Sequence, residues 1–464
     1  MNCSTTVPGL LSGGTRGWVG QSNDRGTLDI VVSSSITIFL CIWTTVCVNV
    51  PSPEHGVWAI FRDRWHMFCL GLLGPEFTVL LAIGQYCSAR ASVRQFKAKY
   101  NIWTVKHGFF ADMGGIHLQV ENLKSFPITS KQLYFLAEHD FIAFPHITTT
   151  MINDKNKSDG LTRLIASLQI LWFTLSTISR PIKGYATTTL EITTLAYIFC
   201  AWASMFFWRC KPMDVQDPIM VPCKVPLAAI VDHHGHSAAG HFHFTPLDFV
   251  DRQEWIGSKL WTYYVSLLRR MKIIYVYEKE LPARHFSSFN FMPPDKPYVI
   301  LILMIACSYS AIFLAAWNLH FPTDLERVIW RVCTAGTMGI VVCGGVFEVV
   351  GILIELHRRR PFFPDSDSNS EHQPYEIPVL VRSHALVAEP KTRWQLLLQN
   401  AQNKTEDKDP YFDIRLRSLL VTTPLCALYC LFRAYIIVAD IITLRELPAS
   451  AFLAIQWSTY IPHI

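Results

Sequence analysis

Apolar runs long enough to cross a hydrocarbon layer alternate along this chain with long polar stretches. The central pair, Leu164–Ile178 and Thr188–Trp208, is joined by the short polar connection Ser179-Arg180-Pro181-Ile182-Lys183-Gly184. Each run approaches the roughly 20 helical residues that span ~30 Å of hydrocarbon. The second ends in Phe207, Trp208, Arg209 and Lys211, aromatic and basic side chains that favour a membrane interface. Pro181 and Gly184 suit a reversal and Pro212 suits a helix stop, so residues 163–212 read as a transmembrane helical hairpin.

Four further runs are clear: Leu28–Val50, stopped by Pro51-Ser52-Pro53; Tyr298–Asn318; Val328–Leu356, stopped by His357-Arg358-Arg359-Arg360; and Ser418–Ile441. Met67–Ala89 is apolar too, but Gly74-Pro75-Glu76 interrupts it, which fits a kinked helix inside a bundle or a re-entrant segment. The pattern predicts an all-α fold, a polytopic transmembrane bundle of about seven spans with large polar connecting regions. Residues 1–89 carry a polar tail and the first two segments, and no cleaved signal peptide is expected there. Soluble connecting regions follow at 90–162 and 213–297, on either side of the hairpin. Two spans occupy 298–356. A basic, linker-like region fills 357–417, and 418–464 holds the last span and an apolar tail too short to cross.

Within 213–297, Thr245-Pro246-Leu247-Asp248 reads as the start of a helix. Phe249, Ile256, Leu260, Tyr264, Leu267 and Met271 share one side of it, with Arg252, Lys259, Arg269, Arg270 and Lys272 around them. Such a helix can lie on a membrane surface, making lipids a partner, or pack on the other polar region.

Composition supports a bilayer: of 464 residues, 50% are hydrophobic and only 17% charged, with a mean hydropathy of +0.24. The net charge of +5 comes with Lys and Arg flanking apolar runs, and no nucleic-acid-binding signature is present, so no nucleic-acid partner is expected. The positive-inside rule places 90–162, 209–296 and 357–417 on the cytoplasmic face. The N-terminus is then cytoplasmic with seven spans, and external if Met67–Ala89 is re-entrant. Ten of the 13 cysteines fall in apolar runs, where they act as small hydrophobes rather than as a disulfide framework.

Candidate chemistry is sparse. His233, His234 and His236, with His241 and His243, could bind zinc, nickel or copper, or form a polar loop with no physiological metal. Asn153-Asp154 and Asp159 lack the acid spacing by which intramembrane prenyltransferases chelate magnesium diphosphate, and no Walker loop, Ser-His-Asp pattern or HEXXH occurs. Sequons stand at Asn2, Asn156 and Asn403, the last two in regions placed in the cytoplasm. Charges inside or at the ends of spans are costly and point to function. Arg180, Glu191, Asp440, Arg433 and Glu76 are all expected in the outer half of the membrane, with Glu76 in reach of Arg433 if their helices touch. Glu76 would then be a carboxyl group for proton transfer or for the polar end of a lipophilic ligand. The competing reading is that these charges snorkel or pair to fix packing.

The runs Arg25–Thr27, Gly74–Phe77, His107–Gly115, Leu168–Phe173, Leu190–Thr194, Lys211–Val215 and Tyr460–Ile464 resemble those of a large group of fungal multi-pass membrane proteins. The resemblance covers nearly the whole chain. It implies architecture and a fungal source, and supplies neither a cofactor nor a catalytic residue. Two function classes are expected: a membrane protein that handles a lipophilic small molecule, as enzyme or carrier in specialised metabolism, or a non-catalytic scaffold or sensor that binds cytoplasmic partners.

Overall fold

The structure is a computed structural model that describes residues 14–20, 25–121, 123–157, 160–233, 242, 244–251, 255–272, 281–358, 402 and 414–455. It is mostly helical and has two parts, a long helical bundle and a small α/β unit at one end of it. The end that carries the unit is the domain end here, and the opposite one the far end.

The chain opens at the far end with strand β1 (Thr15–Arg16), and α1 (Thr27–Thr45) runs toward the domain end. Its start is fixed by Asp29, whose carboxylate accepts the Gly26 N–H at 2.8 Å. Next come α2 (Val57–Leu73) and α3 (Pro75–Phe96), bent by 117° at Gly74. Both ends of this pair enter the α/β unit: the Val50 N–H donates to the Met113 carbonyl at 2.9 Å, and the Phe96 ring stacks on Trp103 with centroids 4.2 Å apart. The chain is therefore at the same end of the molecule before and after the pair.

The α/β unit is built from both polar stretches. It holds α4 (Val105–Asp112), β2 (Ile116–Gln119), β3 (Phe126–Pro127), α5 (Ser130–Glu138) and α6 (Thr149–Lys155) from the first. After the chain has made a round trip through α7 (Gly160–Ile182) and α8 (Thr189–Trp208), the second stretch contributes β4 (Ile219–Pro222) and α9 (Leu227–His233). Strand β2 lies in the middle, antiparallel to β3 and parallel to β4, with His117 opposite both Pro127 and Met220. A parallel pair needs a long crossover, and the α7–α8 excursion supplies it. Phe96, Phe110, Ile116, Leu118, Phe126 and Leu133 form the fully buried core.

The chain continues through α10 (Asp248–Asp251), α11 (Ile256–Arg270), α12 (Lys296–Leu314), α13 (Asp324–Arg358), α14 (Leu416–Ile442) and β5 (Leu447–Pro448), which pairs with β1 at the far end. Helix α8 is the hub: 61% of its apolar window is buried, against 6% for α13. The outer helices turn large apolar side chains outward, as with Phe347 (77% exposed) and Leu431 (65%).

The sequence reading is corrected in four respects. Among the described residues five helices (α1, α8, α12, α13, α14 with its 3-10 extension) are long and apolar enough to cross a membrane, or six if the bent pair is one span, against about seven expected. Helix α7, the first arm of the expected hairpin, is not counted among these five. It still runs the length of the bundle, from Lys157, whose N–H donates to Met213 at the domain end, to Arg180 at the far end. The arms of the hairpin meet largely through α1, with Cys41 between Ile170 and Phe173 of α7 and Ile198 and Ala201 of α8. The two polar regions flanking the hairpin are one folded unit containing a sheet. Finally, Asp248 accepts the Thr245 N–H at 3.0 Å, but the helix there, α10, starts at Asp248 rather than Pro246 and is short, and the amphipathic helix begins at Ile256. That helix packs on the bundle, with Trp261 against Phe77, Phe289 and Phe291 and the Tyr264 hydroxyl 3.0 Å from that of Thr422. The expected linker at 364–374 lies outside the described residues.

Candidate functional site

A helix that stops inside a bundle leaves carbonyls without partners. Helix α2 stops at Gly74, whose extended backbone (φ −156°) turns into Pro75, the first residue of α3. Two side chains from other helices take the orphaned carbonyls: the Tyr197 hydroxyl donates to Leu72, and Arg433 Nε donates to Leu73 at 3.2 Å. The Arg433 cation thus sits at the C-terminus of α2 and Glu76 in the first turn of α3, each matching the helix dipole it meets. Glycine is needed at 74 because a Cβ there would lie 2.6 Å from the Phe77 ring and 3.0 Å from the Tyr429 hydroxyl.

Tyrosines join the two charges. The Tyr429 hydroxyl donates to Glu76 Oε1, the Tyr309 hydroxyl faces the same carboxyl group, and Arg433 Nη2 donates to the Tyr197 oxygen at 3.3 Å. The Arg433 guanidinium also lies over the rings of Tyr309 and Phe313, 5.4 and 5.1 Å from their centroids. Asp440 lies two turns further along α14 and faces Thr189 and Thr193 of α8. Arg433 is 1% and Asp440 2% exposed. Glu76 Oε2, Tyr309 Oη, Arg433 Nη1, Thr193 Oγ1 and Asp440 Oδ1 are buried and stop short of a full hydrogen bond.

Of the five charges singled out from sequence, Glu76, Arg433 and Asp440 are brought together here. Arg180 and Glu191 belong to a second site, at the far end. Arg180 donates to the carbonyls of Ala186, Ser450, Ala451 and Leu453, and Glu191 accepts from Arg25 at 2.6 Å with Arg180 3.9 Å away. Glu191 also closes a capping box with Thr188. This is a clasp that holds Arg25 and residues 450–453 on the turn between α7 and α8, with all three Arg180 nitrogens donating and Arg25 Nη1 left short of a full hydrogen bond.

A third polar joint closes the domain end. Lys211, 5% exposed, donates to the Cys47 carbonyl at 3.0 Å, Asn49 Oδ1 at 3.1 Å and Gln85 Oε1 at 2.9 Å. With only neutral acceptors around it, burial pushes its ammonium group down to about 8. Across a cavity lined by Asn49, Gln85, Met113 and Lys211 stands Asp112, held by Ser88 Oγ and the Ser130 N–H. Burial raises the pKa of that carboxyl group.

Sequence reasoning missed Tyr197, Tyr309, Tyr429, Lys211, Gln85 and Asp112. A signal existed for α8: Thr189, Thr193, Tyr197, Ser204, Trp208 and Lys211 recur at spacings of three, four or seven, a polar stripe on an apolar helix. The histidine cluster is described only at His233, at the end of α9 and edge-on to His139; His234, His236, His241 and His243 lie outside the described residues. Among the described residues no group of three or more His, Cys, Asp or Glu is placed to hold a metal. None of the twelve described cysteines is in a disulfide. Asn156 accepts the Met213 N–H at 3.0 Å, while Asn2 and Asn403 also lie outside the described residues.

No curated protein and no solved structure matches the chain. Residues 5–228 are similar to a family described as a family of unknown function (DUF8562), a stretch that contains the broken helix pair, Tyr197 and Lys211 and ends before α12 and α14.

Proposed function

We propose that this chain is a multi-pass membrane protein that handles a lipophilic small molecule, as an enzyme or a carrier, through the polar cluster at the α2–α3 break. The observation that carries the reading is an inverted distribution of side chains: a charged, tyrosine-rich cluster in the middle of a bundle whose outer helices expose apolar side chains. Broken helices are tolerated at membrane depth where they are buried in protein or line a site, and charges there are retained mainly for function. In this reading Arg433 holds the polar end of the molecule and Glu76 exchanges a proton with it. Helices α1, α7, α8, α12, α13 and α14 cross, an even number that agrees with β1 and β5 pairing at one end. The α/β unit then lies on the cytoplasmic face, where Arg90, Arg94, Lys97 and Lys99 leave the bundle, and the N-terminus lies on the other.

The scaffold reading rests on an observation of its own: the cavity beside the break, lined by Thr45, Gly71, Pro75, Thr78 and Tyr197, has a volume of only about 10 Å³. One experiment separates the two. Glu76→Gln keeps the size of the side chain and removes its titration. A variant that accumulates normally but fails to restore the metabolite profile of a strain lacking the chain supports the first reading; one that restores it fully supports the scaffold.

A further inference from the structure

Polar side chains along α8 link the cluster at the helix break to the joint at the domain end. Along α8, Thr189 and Thr193 face Asp440, and Thr189 Oγ1 is 2.9 Å from Thr443 Oγ1 near the far end. Tyr197 meets Arg433, and the tyrosines around them reach Glu76. Below the break, the Ser204 hydroxyl is 3.2 Å from that of Thr78 on α3. One turn on, Trp208 Nε1 and Lys211 Nζ both donate to Gln85, each at 2.9 Å. Asp112 and Ser88 continue the line into the α/β unit.

Cavities lie at two points along this file of side chains. One sits between Tyr197, Thr78 and Thr45, the other between Gln85, Lys211, Asn49 and Asp112; each has a volume of about 10 Å³. That is room for about one water, and both are lined by the two or more polar groups a buried water needs. We propose that the file is a proton route through the bundle, with Asp440, Glu76 and Lys211 as the proton-holding groups from the far end to the domain end.

The chemistry balances without a further reactant. A proton taken up by the Asp440 carboxylate passes through the tyrosine hydroxyls to the Glu76 carboxylate, each hydroxyl accepting one proton and giving up another. From Glu76 it moves through the first cavity and the Thr78–Ser204 pair to the second cavity. There Lys211 takes it as a neutral amine and releases it to the Asp112 side. One proton enters, one leaves, and the reoriented hydroxyls turn back. Arg433 stays charged throughout and compensates whichever carboxylate is ionised.

The proposal rests on the membrane-spanning reading and is independent of what molecule, if any, the chain handles. The full chain is reconstituted in liposomes enclosing a pH-sensitive dye, and proton entry is driven by an imposed potassium diffusion potential. Insertion is checked separately by carbonate extraction and protease protection. Wild-type vesicles are expected to acidify well above protein-free vesicles. Glu76→Gln and Asp440→Asn, compared as monodisperse protein, are each expected to slow acidification by about a hundredfold, the low end of the cost of losing a positioned proton-transfer group. Glu76→Asp, which keeps a titrating carboxyl group, should retain flux. Inserted wild type that leaks no faster than empty vesicles overturns the proton route while leaving the membrane reading intact, as does undiminished flux in both variants. Failure of insertion overturns the membrane reading itself.

Discussion

The bundle and the α/β unit are folded from one chain under opposite rules. In the unit, Phe110, Phe126, Ile128 and Leu133 are fully buried, and the buried polar side chains His107, His117 and Gln132 are neutral. In the bundle, Phe347 and Leu431 face outward, while Arg433, Asp440 and Glu191 are at most 2% exposed. Water drives apolar area inward, whereas hydrocarbon leaves apolar area indifferent and penalises unpaired polar groups. In the membrane reading proposed above, the unit is specified by packing, and the bundle by which polar groups meet.

The sharpest way to break that contrast is to unpair the bundle. Arg433→Met removes the cation that serves the Leu73 carbonyl and faces Glu76, leaving a buried carboxylate and an orphaned helix end. Removing one partner of a buried charge pair costs about 3–5 kcal/mol, so the variant should accumulate poorly and melt early in detergent. Adding Glu76→Gln to it should recover part of the loss. Recovery is the decisive measurement: none would mean that the arginine acts only through packing and its bond to Leu73.

Reversing the polarity of the two surfaces is the next test. Leu431→Lys places a charge on the outward face of α14, at a cost of about 2.5–3.5 kcal/mol if that face meets the middle of a bilayer. Met151→Lys, on the outward face of α6, should change stability by no more than about 0.5 kcal/mol. Insertion efficiency and melting in detergent micelles read the two. Equal, small effects would mean that α14 faces water.

These regions were unequally legible in the sequence. Five apolar runs gave long helices because hydrophobicity over some 20 residues depends on no partner. Gly74-Pro75 marked the helix break for an equally local reason, since neither residue continues a helix. The α/β unit was hidden because its sheet joins residues on both sides of the α7–α8 excursion: Met220 pairs with His117 across the whole of it. The two buried sites were half visible. A charge in an apolar run stands out, so Glu76, Arg433 and Asp440 could be named. A tyrosine there does not, and Tyr197, Tyr309 and Tyr429 read as ordinary aromatic filling. Arg180 and Glu191 looked like members of the same site because depth alone cannot separate them from it; the carbonyls of Ser450 to Leu453 do.

Acid should act on the unit before the bundle. His117 is buried in β2 near Arg284, and burial pushes its imidazole down to about 4 from an ordinary 6.5. His107, also buried, is lowered for the same reason. The unfolded chain binds more protons than the folded one between about 4 and 6.5, so the stability these residues supply is present above 6.5 and is lost as the pH falls through that window. The loss should be on the order of 1 kcal/mol per pH unit. Denaturant melts of the unit, followed by fluorescence of the Trp103 region, should show it. His117→Gln should flatten the dependence, and an unchanged slope would place the acid sensitivity elsewhere.

The smallest expected effect compares one motif in the two settings. Thr129–Gln132 caps α5 in the unit and Thr188–Glu191 caps α8 at the far end, each with the threonine oxygen accepting the third residue's N–H, at 3.3 and 3.2 Å, and the reciprocal bond in place. Thr129 is half-buried and its hydroxyl also faces Asp251, but that carboxyl group still has the Lys131 ammonium 3.4 Å away when Thr129 becomes alanine. Thr188 is 2% exposed, and its hydroxyl also donates to Glu191 at 3.0 Å, so its loss strips a buried carboxylate of a donor that water does not replace. Thr129→Ala should cost about 1 kcal/mol and Thr188→Ala about 2, the upper end for such caps. In hydrogen exchange, protection of the first-turn amides should fall by about fivefold in α5 and about thirtyfold in α8. Equal losses would show that water reaches the far-end clasp, and the contrast between the two regions would stop at α8 instead of extending to the clasp that closes it.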